Sequence, residues 1–255
     1  AYYFVSNDED VNGKAETLLN EYYTVTGNPM LLPEYAFYLA HLNCYNRDGW
    51  EESTSGNWVL EDGKTYRELG QASGYVIPEN TYAETLNNEG PSVDADNFKG
   101  TVNEDTYKFS ARAVIDGHVD NDMPLGWFLP NDGYGCGYGQ TDSQAGDIEN
   151  LGNFADYAIS KGVQIGLWTQ SNLWPADASN PQKGERDIYK EVEAGVHSVK
   201  TDVAWVGPGY SMALNGISVA YDAIASKSGL KPNIVTLNGW AGTQRYGGIW
   251  SGDQT

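Results

Sequence analysis

Cationic side chains are scarce in this sequence. Fifteen Lys and Arg stand against 35 Asp and Glu, giving a formal net charge of −20. Nucleic acid and anionic membrane surfaces are recognised through clustered Lys and Arg, so neither is an expected partner. Histidine is as rare, and His41, His118 and His197 show no metal-ligand spacing. Cys44 and Cys136 fit no zinc pattern, so no metal or other cofactor is expected; from spacing alone the two thiols either pair or stay free. No apolar run approaches the ~18 residues of a membrane span. No signal peptide or polybasic address is visible. The chain opens on Ala1 rather than Met, and further sequence upstream is expected.

Aromatic residues and glycine are plentiful, with 18 Tyr, 8 Trp and 30 Gly. An acidic surface rich in flat rings suits a neutral ligand that stacks, such as a carbohydrate. A length of 255 residues and a 40% hydrophobic share allow one large domain with a full core.

Hydrophobic spacing predicts alternating elements. Tyr2–Val5 reads as a short strand. Ala15, Leu18, Leu19 and Tyr22 recur at helical intervals, so Val11–Val25 reads as a helix ended by Gly27–Asn28–Pro29. Pro33–Leu42 is a near-continuous apolar run that suits a strand buried on both faces. Residues 46–102 are polar and aperiodic, and read as a long insertion after the first strand, of a length that is usually functional or carries its own small structure. Beyond it, helices are expected around Tyr107–His118, Leu151–Ile159, Glu185–Ala194 and Ala213–Ile224, the last capped by Ser211. Strands are expected at Leu125–Leu129, Val163–Trp168, Val196–Thr201 and near 234 and 249. This alternation implies a parallel sheet of βα units. The first strand lacks the glycine-rich turn of a dinucleotide fold. Polar and aromatic residues instead recur behind strand after strand. The expectation is a (β/α)8 TIM barrel, with about six of eight strands in this chain, forming one partial catalytic domain over 1–255.

Several residues stand where such a barrel builds its site. Asp202 ends the apolar strand in VKTDVAW, where an acid is a rim nucleophile, a helix cap or a salt-bridge partner of Lys200, and Asp253 follows Trp250 in a tight Ser–Gly–Asp turn. Two acids at strand ends suit glycoside cleavage, one attacking the anomeric carbon and the other protonating the leaving oxygen. Their expected carboxyl separation is then about 5–5.5 Å. Asp132, in Leu129–Pro–Asn–Asp–Gly, can bond sugar hydroxyls or simply form a turn. Arg245 offers a planar donor fork. Trp127, Trp168, Trp205, Trp240 and Trp250 lie in or just after strands, and can stack on sugars or fill the core. Trp50, Trp58, Tyr134, Tyr138 and Trp174 are material for an acceptor platform in the loops.

These residues resemble the catalytic domain of glycoside hydrolase family 31, the α-glucosidase and α-xylosidase family. GTQRYGGIWSGDQT is similar to its stretch from Gly-x-x-Arg-Tyr to Trp-x-Gly-Asp, and VKTDVAW to its nucleophile strand. LGWFLPNDGYG falls at a sugar-contact position, and EYYTVTGNPMLLPEYAF is similar to the entry into the first strand. The resemblance implies Asp202 as nucleophile, Asp253 as acid/base, and Arg245 and Asp132 as sugar contacts. Two departures stand out. Val203–Ala204–Trp205 replaces the common Met-Asn-Glu, and Thr236–Leu237–Asn238 replaces Thr-Arg-Ser. These look like the subgroup of isomaltosyl-transferring and cycloalternan-forming or -degrading enzymes. The implied activity is that of a retaining α-glycosidase or glucosyl/isomaltosyl transferase on α-1,6/α-1,3 glucooligosaccharides, acting without a cofactor. The implied partners are an oligosaccharide or polysaccharide and the remaining domains of a longer chain. The expected location is extracellular. The alternatives are a non-catalytic carbohydrate-binding barrel and an inactive fragment of a larger glycosidase.

Overall fold

The computed structural model of the chain describes residues 5, 10–42, 49–68, 82–83, 85–88, 104–130, 144–169, 173–180, 186–202 and 209–252. The expected strand Tyr2–Val5 lies outside them apart from Val5. Helix α1 (Val11–Thr26) starts at Asp10, whose Oδ2 accepts from Gly13 N at 2.9 Å. It stops at Gly27, whose φ of 88° only glycine adopts readily.

The strand expected over Pro33–Leu42 is shorter in the structure. Glu34–Phe37 is a 3₁₀ turn, and only β1 (Leu39–Leu42) joins the sheet. Pro33 fixes an extended entry, and the following turn sends Tyr35 inward instead of into a ladder. Nor is β1 buried on both faces. It is an edge strand, with Ala40 covered and Leu39 exposed.

The insertion carries its own structure. Strands β2 (Gly49–Glu52), β3 (Trp58–Val59), β4 (Thr65–Glu68) and β5 (Tyr82–Ala83) form an antiparallel sheet in the order β3-β4-β2-β5. Its rings seat on Phe109, the last residue of a 3₁₀ turn over Glu104–Phe109. Trp50 and Tyr82 stack on that ring at 5.9 and 5.1 Å, and Tyr66 meets it edge-on at 5.4 Å. Trp50 is therefore packing the insertion down rather than facing a ligand, and Trp58 packs edge-on against it.

Asp62 clamps the same contact, accepting from Tyr66 Oη at 2.6 Å and from the Lys108 ammonium. The Lys108 and Tyr66 hydrogen bonds hold its carboxyl well below the ordinary carboxylate range. A group depressed in this way stabilises the fold above its unfolded pKa, near 3.9, and that contribution is lost as pH falls through the folded value. Asp62→Asn is expected to speed amide exchange in β2 and β4 at neutral pH and to blunt their loosening below about pH 4. Equal acid sensitivity in wild type and variant would contradict this role.

The rest of the chain follows the predicted alternation. Helix α2 (Ala111–Asp120) is capped by Ser110, whose Oγ accepts from Ala113 N at 3.2 Å. Then come β6 (Trp127–Pro130), α3 (Gln144–Ser160), β7 (Gln164–Thr169), α4 (Ile188–Glu193), β8 (Val196–Thr201), α5 (Tyr210–Ser228), β9 (Asn233–Thr236) and β10 (Gly248–Ile249). Helix α5 begins one residue before Ser211, so Ser211 is not its cap. Gly209 occupies that position and makes no side-chain capping bond. The six main strands lie in the order β1-β6-β7-β8-β9-β10, and every neighbouring pair is parallel. This is a curled half-barrel with two edges, not a closed barrel.

Alternation along the strands gives the sheet two different faces. Phe128, Ile165 and Leu167 point to the helices and pack with Leu151, Phe154 and Ala158. Val199 and Ile234 do the same with Ile217, Ala220 and Ile224. Trp127, Leu129, Lys200 and Val235 line a pocket on the other, concave face.

Candidate active site

The floor of the concave face is plugged. Tyr35 Oη donates to the Lys231 carbonyl at 2.8 Å and also lies 3.2 Å from the His197 carbonyl. Burial pushes its hydroxyl pKa up to about 12, against the smaller opposing effects of Ser198 and Asn233. Asn233 Nδ2 donates to Ser198 Oγ at 3.2 Å. Gly166 makes room for the Trp127 ring: a Cβ there would stand 2.9 Å from both Trp127 Cζ3 and Ser198 Cβ.

Above this floor lies a pocket of about 320 Å³ lined by Leu39, His41, Trp127, Leu129, Lys200, Val235 and Trp250. Lys200 is its cation. An inward position near the C-terminal end of β8 gives its stem an apolar wall, and its Nζ sits 4.3 Å over the Trp250 ring. The ammonium is also 3.7 Å from Asp202 Oδ2.

Asp202 is the first residue past β8. Its backbone N–H donates to the Thr169 carbonyl at 2.9 Å, which extends the ladder by one residue and fixes the start of the side chain. Trp168 Nε1 donates to Asp202 Oδ2 at 2.9 Å. The carboxylate is thus held by one indole N–H and one ammonium, at the C-terminal end of a parallel strand. In α/β barrels that end carries the site.

The strand supporting Trp168 is braced from outside. Arg186 and Glu191, 3% and 0% exposed, form a two-pronged ion pair, with Nη2 to Oε2 at 2.8 Å. Arg186 Nη1 spends a further donor on the Trp168 carbonyl, at 2.7 Å.

The structure brings together Trp168, Asp202 and Trp250 of the expected site residues. Trp250 reaches the group because its N–H continues the β9–β10 pairing onto the Thr236 carbonyl at 3.0 Å. Its Nε1 is buried without a hydrogen-bond partner among the described residues. Trp240 stands apart on the loop behind β9, 47% exposed, edge-on to Tyr210 at 6.0 Å. Tyr210 starts α5, directly after the loop that leaves β8, so the two rings share the rim of the mouth.

Arg245 is not brought to this group. Its stem covers Gly27, where a Cβ would stand 2.2 Å from Arg245 Cδ, and its Nε donates to the Gly242 carbonyl at 3.2 Å. It secures the end of α1, with Gln244 Nε2 bonding the Gly27 carbonyl beside it. Trp174 is likewise away from the concave pocket and borders α4 and α5 instead. Asp253, Asp132 and Trp205 lie outside the described residues, as do Cys44, Cys136, Tyr134 and Tyr138.

Sequence reasoning did not assign Lys200, Arg186 or Glu191 to the site. The signal for Lys200 was its even spacing with Ser198 and Asp202 on one face of β8. For Arg186 and Glu191 no such signal exists, because their pairing depends on the fold.

No protein-family model matches the chain. No curated protein matches it either. Among solved structures it is similar to a cycloalternan-degrading enzyme from Trueperella pyogenes, in complex with cycloalternan. That match has 12% identity and a TM-score of 0.45, and covers 94% of this chain and 36% of the enzyme. It is also similar to a cycloalternan-forming enzyme from Listeria monocytogenes in complex with a pentasaccharide substrate, at 14% identity and a TM-score of 0.44, covering 93% and 24% of the two chains. An uncharacterized protein from Listeria monocytogenes EGD-e matches at 15% identity and a TM-score of 0.45, with 93% and 24% covered. The chain thus spans between 24% and 36% of the length of these structures.

Proposed function

We propose that this chain forms part of the catalytic domain of a retaining α-glycosidase or transglycosylase acting on α-glucans. The observation that carries the reading is Asp202 at the C-terminal end of β8, held by Trp168 and Lys200 beside an aromatic-walled pocket. An Asp202 oxygen attacks C1 of the bound sugar, and the bond to the glycosidic oxygen breaks. Asp253, by the family resemblance, gives its proton to that oxygen. The resulting β-linked glycosyl ester is then attacked at C1 by water or by a sugar hydroxyl, whose proton returns to Asp253. Two inversions leave the α-configuration in the product.

Trp168 serves this step as a positioning donor, since the indole N–H fixes Oδ2 before substrate arrives. Trp250 offers a flat apolar wall for a pyranose face, over a base to which the buried Trp127 contributes. The exposed pair Tyr210–Trp240 stands where an acceptor sugar would approach. Their rings, rather than those of the insertion, are the acceptor platform in this reading.

Stereochemistry tests the proposal. Early in the reaction of the intact protein with isomaltotriose, proton NMR is expected to show the α-anomer of the released sugar ahead of mutarotation. Initial release of the β-anomer would mean inversion and would reject Asp202 as a nucleophile. No product from isomaltotriose, panose or alternan-type oligosaccharides would favour a binding module.

A further inference from the structure

A second pocket, of about 300 Å³, opens on the helical side of the half-barrel. It is lined by Trp174, Pro175, Ala178, Asp187, Tyr189 and Val219. We propose that it is an auxiliary carbohydrate site, which holds a neutral glucan strand away from the concave pocket.

Its construction supports binding rather than loose packing. Trp174 and Tyr189 each directly follow a fully buried anchor, Leu173 and Ile188. The two anchors share one core cluster and are tied by Ile188 N donating to the Leu173 carbonyl at 2.7 Å. The rings are therefore pinned at their backbones, yet they stay 40% and 49% exposed. Two large rings held open around a pocket meet the requirement for stacking at low ordering cost. Pro175, Ala178 and Val219 give an apolar floor of small side chains, which suits the C–H face of a pyranose ring.

The polar part of the pocket also points to hydroxyls. Asp187 is fixed by its own backbone: Oδ1 accepts from Tyr189 N at 3.1 Å and from Lys190 N at 3.4 Å. Its Oδ2 lies 4.0 Å from Lys190 Nζ, and Asp187 is one of the residues that line the pocket. A fixed carboxylate beside aromatic rings is a hydroxyl acceptor, and it repels phosphates and acidic peptides. The neighbouring turn is rigid, since Asp177 Oδ1 accepts from Ser179 N at 2.9 Å and from Ser179 Oγ at 2.6 Å. No cluster fit to hold a metal ion occurs among the described residues. A pocket of this size holds one or two sugar rings, not a peptide helix.

The choice of a glucan as the ligand rests on the proposed function; the second site itself does not. The test uses the intact protein carrying Asp202→Ala, so that bound polymer is not consumed, run by native electrophoresis in gels containing dextran. Adding Trp174→Ala with Tyr189→Ala is expected to weaken dextran retention about 10-fold, on the scale of losing stacked aromatic contacts. Trp174→Phe should retain most of it. In the active background, Trp174→Ala should raise KM for dextran while leaving kcat/KM for isomaltotriose within about twofold. Unchanged dextran retention in the double variant overturns the proposal, whether the pocket is inert or covered by the rest of the protein. If dextran retention falls but Asp202→Ala leaves turnover intact, the catalytic assignment fails and the auxiliary site stands.

Discussion

Asp202→Ala is expected to lower turnover of isomaltotriose by about 10⁵-fold, the scale seen when an enzyme loses its nucleophile. The loss should fall on kcat, because the substitution leaves the Trp250 wall proposed to bind sugar untouched. Azide should then restore activity on an α-glucoside with a good leaving group. The small anion fits where the carboxylate stood and attacks C1 directly, leaving a β-glucosyl azide. The ammonium of Lys200, 3.7 Å from the vacated oxygen position, would favour that anion. A residual rate within about 100-fold of wild type, or an α-configured azide product, would remove Asp202 from the nucleophile role.

The second large effect concerns stability. Arg186→Ala removes the two-pronged cationic partner of the buried Glu191 and the guanidinium donor to the Trp168 carbonyl. Breaking a buried pair from one side costs about 3–5 kcal/mol. Chemical denaturation should show this as a lower midpoint with an unchanged slope. The double replacement Arg186→Met with Glu191→Leu should recover most of the loss, since two apolar groups of similar size no longer bury a charge. It should not recover full activity, because the Trp168 carbonyl still lacks its donor and the indole is less well placed for Asp202. A single-variant cost under about 1 kcal/mol would mean that water reaches the pair.

The parallel strands were legible because they are short apolar runs between turn signals, and β8 was read to the residue. Its face-by-face split was less so. Even spacing puts Ser198, Lys200 and Asp202 on one face, but that this is the inner face follows from a register shift between Ile165 and Gly166 of β7, which no periodicity reveals. The insertion's length pointed to structure of its own, but its individual strands were not read because they are two to four residues long, too short for alternation to register. Arg245 shows the limit of motif reading. Its neighbours Gly247 and Trp250 flank β10, while a 3₁₀ turn at Thr243–Arg245 directs its own stem to Gly27. Residue type and the family resemblance gave it a sugar contact; the turn sets its stem against Gly27.

The order of the six strands follows the order of synthesis, and that bears on how the sheet is built at the ribosome. Each later strand finds its neighbour already made, within some tens of residues. β1 is the exception: Leu39 pairs with Trp127, about 90 residues downstream, and at roughly 5–20 residues per second that partner emerges several seconds later. During this interval β1 has no ladder to join. The insertion's sheet shortens the wait in space if not in time. By pairing β2 to β5 and docking Trp50 and Tyr82 on Phe109, it shortens the free part of the connection and lowers the entropy lost when β1 and β6 meet. A segment that looks like an ornament on the barrel is in this sense its splint.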